Sequence, residues 1–393
     1  MFAYLRDVFR RHRRKFIFIG VFSAASVLLW KYAQRRLKEW QENEAAECLA
    51  FARRQHHFDS NQRTCNMTVL AMLPTIRQSL TKILDSDDLT QQLKNRPANK
   101  LEIWEQLKII SFSRPIAAVY SLCMVIVYLR VQLNVLGGYM YLDSFHGNNG
   151  TIHGQSQATP EIQKQYLATI QYLMGNGLKD IVEATKNAVE ECIGKMSLKK
   201  SFQLQDLEHL LGKIRRKLEV WDNSDFSNGS TSLTKYFLPP EENGGLNEEE
   251  LNAKWVELQS EEETTIVDEA YISQNQVMLH RLSQETRDMI ESADFCQVLN
   301  TCLDTAFTRL MDNIACSFKP KPEQTHFDVL SISPCDTSLP LAKLIPVMNG
   351  QVHFICGDSP NHFVQELLLM ECVKDFAANV YEAFSQSEHT AIP

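Results

Sequence analysis

The hydropathy pattern opens with one uninterrupted apolar run, Phe16 to Trp30 (FIFIGVFSAASVLLW), set between basic residues Arg6, Arg10, Arg11, Arg13, Arg14 and Lys15 before it and Lys31, Arg35, Arg36 and Lys38 after it. A greasy run with cationic flanks predicts a membrane-inserted helix. Its 15 residues span about 23 Å at 1.5 Å each, short of a hydrocarbon core of about 30 Å. Lys15, Lys31 and the arginines can snorkel outward, Trp30 and Tyr32 suit the interface, and a thin or locally thinned bilayer would meet the shortfall. A secretory signal would place a small-residue cleavage site after the run, whereas Ala24-Ala25-Ser26 lies inside it. A mitochondrial presequence fits Phe2, Leu5 and Phe9 against Arg6, Arg10 and Arg13 only weakly. The chain thus divides into a basic segment (1–15), an anchor (16–32) and a body (33–393). Both flanks are basic, so charge alone leaves the orientation open.

Beyond the anchor, apolar positions recur with helical spacing, and no alternating strand pattern stands out. Helices are predicted from Tyr32 to Phe58, from Asn66 to Leu84, and from a capping-box start at Asn99 and Glu102 to about Phe112. Pro115 is read as the first residue of the next helix, which ends near Gly137-Gly138. That helix carries a second apolar stretch, Ile116 to Leu129 (IAAVYSLCMVIVYL). Without dense basic flanks, it reads as a buried central helix in preference to a second span. Thr159-Pro160-Glu161 caps another helix. Leu204, Leu207, Leu210, Leu211, Ile214, Leu218 and Trp221 form one stripe with Arg215, Arg216 and Lys217 outward. Further helices are expected from Glu269 to Ser317 and from Ser359-Pro360 to Phe384, with a Pro-punctuated stretch between Ser333 and Pro346. Residues 143–159 and 222–265 read as loops, the second with one short helix around Trp255. The expected fold is all-α: a single large helical bundle on an N-terminal transmembrane anchor.

Charge sharpens this division. The chain carries a formal net charge of −8, yet its first 38 residues hold ten Lys and Arg against one Asp. The basic stalk favours anionic headgroups, and the acidic body lacks the basic, aromatic-interleaved patch of a nucleic-acid binder. Ten cysteines form no Cys-x-x-Cys pair and no zinc spacing, so they read as reduced thiols in a cytosol-facing body. The sequons at Asn66, Asn149 and Asn228 carry weight only if the body enters a secretory lumen.

The chemistry-bearing patterns are missing. There is no phosphate loop, dinucleotide fingerprint, nucleophile elbow, zincin motif or EF-hand loop. His56 and His57 are adjacent and diverge by about 100° on a helix, so they cannot pair on a metal. Asp87-Asp88 reads as a helix cap. No catalytic residue, metal or cofactor is expected, and the chain reads as a binding protein, not an enzyme.

Six blocks carry a likeness. They are Ala50–Pro74 (AFARRQHHFDSNQRTCNMTVLAMLP), Leu93–Phe112 (LKNRPANKLEIWEQLKIISF), Leu129–Asp143 (LRVQLNVLGGYMYLD), Glu285–Phe295 (ETRDMIESADF), Ser338–His353 (SLPLAKLIPVMNGQVH) and Val373–Ser385 (VKDFAANVYEAFS). With the basic-apolar-basic start, the chain resembles the peroxin three family of peroxisomal membrane biogenesis factors along essentially its whole length. The likeness is weakest in the two predicted loops. It implies a peroxisomal membrane protein with one span and a cytosolic body that docks peroxin nineteen, the soluble receptor and chaperone for new peroxisomal membrane proteins. Peroxisomal lipids, other peroxins and tethering factors are further implied partners.

By the same resemblance, an amphipathic helix of the receptor enters a hydrophobic groove, and the key residue is the Trp of the LEIWE block, Trp104. Leu93 and Lys100 match groove positions, with Leu107 and Lys108 on the same helix. On a helical wheel, Lys100, Trp104, Leu107 and Lys108 share a face. An aromatic anchor with aliphatic walls and a lysine rim suits an amphipathic helix with acidic flanks. Residue statistics alone would make Trp104 a core residue. Targeting is assigned to Arg10, Arg11, Arg13, Arg14 and Lys15. The alternatives are a signal-anchored enzyme of the endoplasmic reticulum or Golgi, and an organelle tether without an import role.

Overall fold

The computed structural model describes residues 13–148, 158–219, 233–239, 269–318 and 337–386. Side chains are described from residue 26, and not for 145–148 or 269–274. The chain divides into two units, Met1–Asp59 and Ser60–Pro393. Helix α1 runs Arg13–Ile83 and α2 runs Ser86–Lys94. Helix α3 is Lys100–Asn148 and α4 is Pro160–Ala168. A short turn and a π-type turn, Leu173–Gly177, lead to α5, Leu178–Ile193. Next come α6 (Leu204–Leu218), α7 (Glu269–Glu291), α8 (Ala293–Ala315), α9 (Leu341–Ile355), α10 (His362–Leu369) and α11 (Glu371–Ser385). The described chain is all-α apart from a two-residue antiparallel bridge, Ser201–Phe202 (β1) against Leu339–Pro340 (β2).

In the first unit, the described side chains of α1 from Ser26 to Phe58 are mostly exposed, Trp30, Leu37, Trp40 and Phe51 among them. This stretch relies on local pairs such as Arg36–Glu39 and Lys38–Glu42. Residues 16–25, within the predicted anchor, are helical in backbone. Arg10 and Arg11 lie outside the described residues, and only the backbone of Arg13, Arg14 and Lys15 is described.

In the second unit, α3 is the axis. Every residue from Ser111 to Tyr139 is buried, as the all-round apolar stretch predicts. Helices α5, α8, α9 and α11 pack against it. From α1, Cys65, Val69, Leu73, Ile76 and Leu80 supply a single stripe at three- and four-residue spacing to the same core, continued by Leu84 just past the helix end.

Several boundaries differ from the sequence reading, each for a packing reason. Pro115 lies inside α3, not at a helix start. An internal proline typically costs about 3 kcal/mol. Full burial of Ile116, Val119, Leu122 and Met124 offsets it, at about 1.5–3 kcal/mol per side chain. Gly137-Gly138 does not end the helix either. A Cβ on Gly137 would sit 2.8 Å from the Asn61 amide, and one on Gly138 would sit 2.7 Å from the Phe384 backbone, so these glycines permit close approach. The predicted last helix is two helices, broken at Met370 (φ −56°, ψ 131°). Pro346 is inside α9, so the Pro-punctuated stretch is helical from Leu341. Asp85, not Asp87-Asp88, caps α2, its side chain accepting from Asp87 N and Asp88 N at 2.9 and 3.1 Å. Arg215 is not outward. It pairs with Glu219 and Asp304 and lies 4.7 Å over the Phe307 ring. The predicted loops at 143–159 and 222–265, with Trp221 and Trp255, fall largely outside the described residues.

The polar residues of α3 are met from other elements. Arg130, 1% exposed, donates to Asn66 Oδ1 at 2.6 Å and to Gln62 Oε1. Asn66 is therefore partly buried in mid-helix with its Oδ1 engaged. Arg114 donates to Ser86 Oγ at 2.5 Å and Asn349 Oδ1 at 2.8 Å. Burial lowers its pKa, while Asp87 and Asp85 pull the other way. The described cysteines are free thiols.

Candidate functional site

The candidate site begins with how α2 turns into α3. Asn95 N and Arg96 N close on Gln92 O and Leu93 O at 3.1 and 3.2 Å. Arg96 adopts φ 51°, a left-handed conformation usually given to glycine, and Pro97 follows. Asn99 Nδ2 meets Glu102 at 3.5 Å as α3 starts. The turn brings the apolar sides of α2 and α3 together. Leu89, Ile103 and Leu107 join Ile345 of α9 in a small cluster beside the main core, and Leu93, Trp104 and Leu198 pack on it while partly exposed.

The predicted residues fall into distinct places. Leu93 and Trp104 are half-buried, Lys100 is exposed and Leu107 is buried. Trp104 is thus neither a sealed core residue nor a free surface one. Leu101, three positions before it, is 68% exposed, so apolar surface continues outward from the cluster. Lys108 departs from its expected place on the rim. It is 0% exposed, and its Nζ donates to Gly194 O at 3.0 Å, Met196 O at 2.9 Å and the Glu105 carboxylate. All three ammonium donors are used, so Lys108 fastens the end of α5 to the Trp104 helix.

That fastening positions a wall that sequence reasoning missed. The segment 194–200 follows α5 and carries Leu198 into the cluster. Its backbone is tied to the start of α9, with Ala342 N donating to Leu198 O at 3.0 Å and Leu341 N to Lys200 O at 2.8 Å. Leu198 and Ile345 lie far from Trp104 in the chain. The one hint was a lone Leu within KMSLKK. Among the described residues no group of His, Cys, Asp and Glu could hold a metal. The arrangement offers an apolar, aromatic-anchored surface with charged edges, suited to binding a segment of another protein.

The family model Peroxin-3 matches residues 7–99 and 94–383. The chain belongs to the Peroxin-3 family. Peroxisomal biogenesis factor 3 of Rattus norvegicus is 50% identical over 382 residues, 96% of each chain. The Homo sapiens factor of that name is 50% identical over 379 residues, also 96% of each. Peroxisome biogenesis protein 3-1 of Arabidopsis thaliana is 23% identical over 408 residues, covering 97% of this chain and 99% of its own. The Peroxin-3 match thus spans the N-terminal apolar run, the α2–α3 turn and α9 together.

Proposed function

We propose that the protein serves peroxisome biogenesis as a membrane docking factor, binding the import receptor and chaperone peroxin nineteen through the surface centred on Trp104. Family membership supports the role in peroxisome biogenesis. The observation that carries the docking role is the half-buried Trp104 on a small cluster joined to the main core through Ile110, with Leu93 and Leu198 partly open beside it and Leu101 exposed. A lone surface tryptophan would need no such walls, and a core tryptophan would not be left open to water. An amphipathic helix laid on this surface would bury its apolar face there, and delivery of cargo would follow from binding alone, without bond chemistry.

The anchor at 16–32 would hold the chain in the peroxisomal membrane by a single span, with the body in the cytosol. The basic flanks support membrane insertion, and the free thiols support a cytosolic body. The other apolar helix, α3, is buried within the protein, so the body needs no second span.

Titration of the full-length protein in detergent with the N-terminal segment of peroxin nineteen tests the docking role. One-to-one binding is expected, and Leu93→Asp should weaken it at least tenfold, about 1.4 kcal/mol. Equal affinity in the two proteins would remove the α2–α3 surface from the docking role.

A further inference from the structure

Although the chain is acidic overall, the edges of the Trp104 surface are not. On the α2–α3 side, Lys94, Arg96 and Lys100 are exposed. In the segments that bring Leu198 and Ile345 to the cluster, Lys195, Lys199 and Lys200 of 194–200 and Lys343 of α9 are exposed. Against these seven cations the same three segments (93–108, 194–200 and 341–345) expose one carboxylate, Glu102. Glu105 is partly buried and paired with Lys108. No ion-pair partner is found for Lys195, Lys199 or Lys343 among the described residues. Lys200 lies 5.1 Å over the Phe202 ring.

Unpaired like charges gathered around an apolar patch repel one another, so the arrangement gains most when a partner brings opposite charge. The apolar strip and its two cationic edges together match a helix with an apolar face and carboxylates on its flanks. We infer that the 194–200 segment and the start of α9 form a basic wall that steers and orients an acidic-flanked partner helix onto the Trp104 surface. This rests on the docking reading above and adds to it a second side of the site. Lys108 is the positioning residue for that wall, since it holds Gly194 O and Met196 O and touches no solvent.

The test uses the full-length protein in nanodiscs and stopped-flow binding of two probes. One is the receptor segment already named, and the other is a copy with each Asp and Glu converted to its amide. Lys199→Glu with Lys343→Glu reverses the wall at two exposed positions and should leave thermal unfolding unchanged. The acidic probe should associate about tenfold more slowly with the variant at about 50 mM salt and within about twofold of normal at about 500 mM, where the Debye length is only a few ångströms. Its dissociation rate should change little. The amide copy should associate slowly with both proteins. If the acidic probe binds both proteins with the same rate and the same salt dependence, the wall is not contacted, and the docking reading stands without it. If neither protein binds either probe, the docking reading fails and the wall with it. Phosphatidylserine-rich vesicles should not distinguish the two proteins. Loss of vesicle binding in the variant with unchanged probe kinetics would assign the basic wall to a lipid surface and overturn the inference.

Discussion

Trp104→Ala separates docking from packing because the structure sets the two costs apart. Truncating a fully buried aromatic costs about 3–5 kcal/mol. Trp104 is half-buried on a small cluster, so about half of that is expected, roughly 1.5–2.5 kcal/mol. For the Ser60–Pro393 unit, about 330 residues at about 2.1 cal/mol/K each give an unfolding entropy near 0.7 kcal/mol/K. The melting temperature should therefore fall by about 2–4 °C, against about 4–7 °C for a sealed tryptophan. As the central aromatic of an interface, the same truncation should cost about 2–4 kcal/mol of binding, roughly 30- to 1,000-fold in affinity. Fluorescence anisotropy of the labelled receptor segment and thermal circular dichroism on the same preparation measure both. Near-normal affinity with a melting loss above about 4 °C would make Trp104 a packing residue and refute its role as anchor.

Other consequences can be checked alongside. Lys108→Met strands Gly194 O and Met196 O and should cost about 2–4 kcal/mol in denaturant unfolding, with faster release of the bound segment; full stability would show that the buried ammonium is dispensable. Arg130→Met leaves the Gln62 and Asn66 oxygens without their donor and should cost about 1–3 kcal/mol, while adding Gln62→Leu and Asn66→Leu should recover much of it. Burial raises Tyr128 from 10.0 to about 12, and Cys302 and Cys356 from 9.0 to about 12. These groups contribute stability that is fully present below about pH 9 and lost as pH rises towards 12, each removing about 1.4 kcal/mol per pH unit within its window; a flat unfolding free energy from pH 8 to 11 would contradict their burial. In cells, a reporter carrying residues 1–45 should reach peroxisomes, and converting Arg10, Arg11, Arg13, Arg14 and Lys15 to Ala should misdirect it.

The helical class and the buried axis were legible because Ile116–Leu129 is apolar on every face, a pattern that needs no knowledge of neighbours. The breaks were misplaced for the opposite reason. Pro115 and Gly137-Gly138 carry strong local stop signals, and only the side chains packed around them show that the helix continues. Trp104, Leu93, Lys100 and Leu107 were named through resemblance and helical spacing, and the structure brings Leu93, Trp104 and Leu107 to one cluster with Lys100 exposed. Lys108 was misplaced on the rim because a wheel puts it beside Trp104 without showing which element covers it. Leu198 and Ile345 reach the same cluster from distant segments, and no single-chain periodicity joins them.

The embedded axis also has a consequence in time. Arg114 and Arg130 bracket the apolar stretch of α3, and part of their hydrogen bonding comes from Asn349 and Leu368. Tyr139 meets Phe384 with ring centres 6.2 Å apart. When the ribosome finishes Asn148, roughly 240 residues remain before Ser385, or about 12–50 s at about 5–20 residues per second. Throughout that interval the newborn chain displays a helix whose composition matches a membrane span, its late-made covers still untranslated. The two arginines stand at the ends of the stretch, where long cationic side chains can snorkel outward, so they do little to bar insertion, and it is the arrival of α9 to α11 that commits this helix to the interior of the protein.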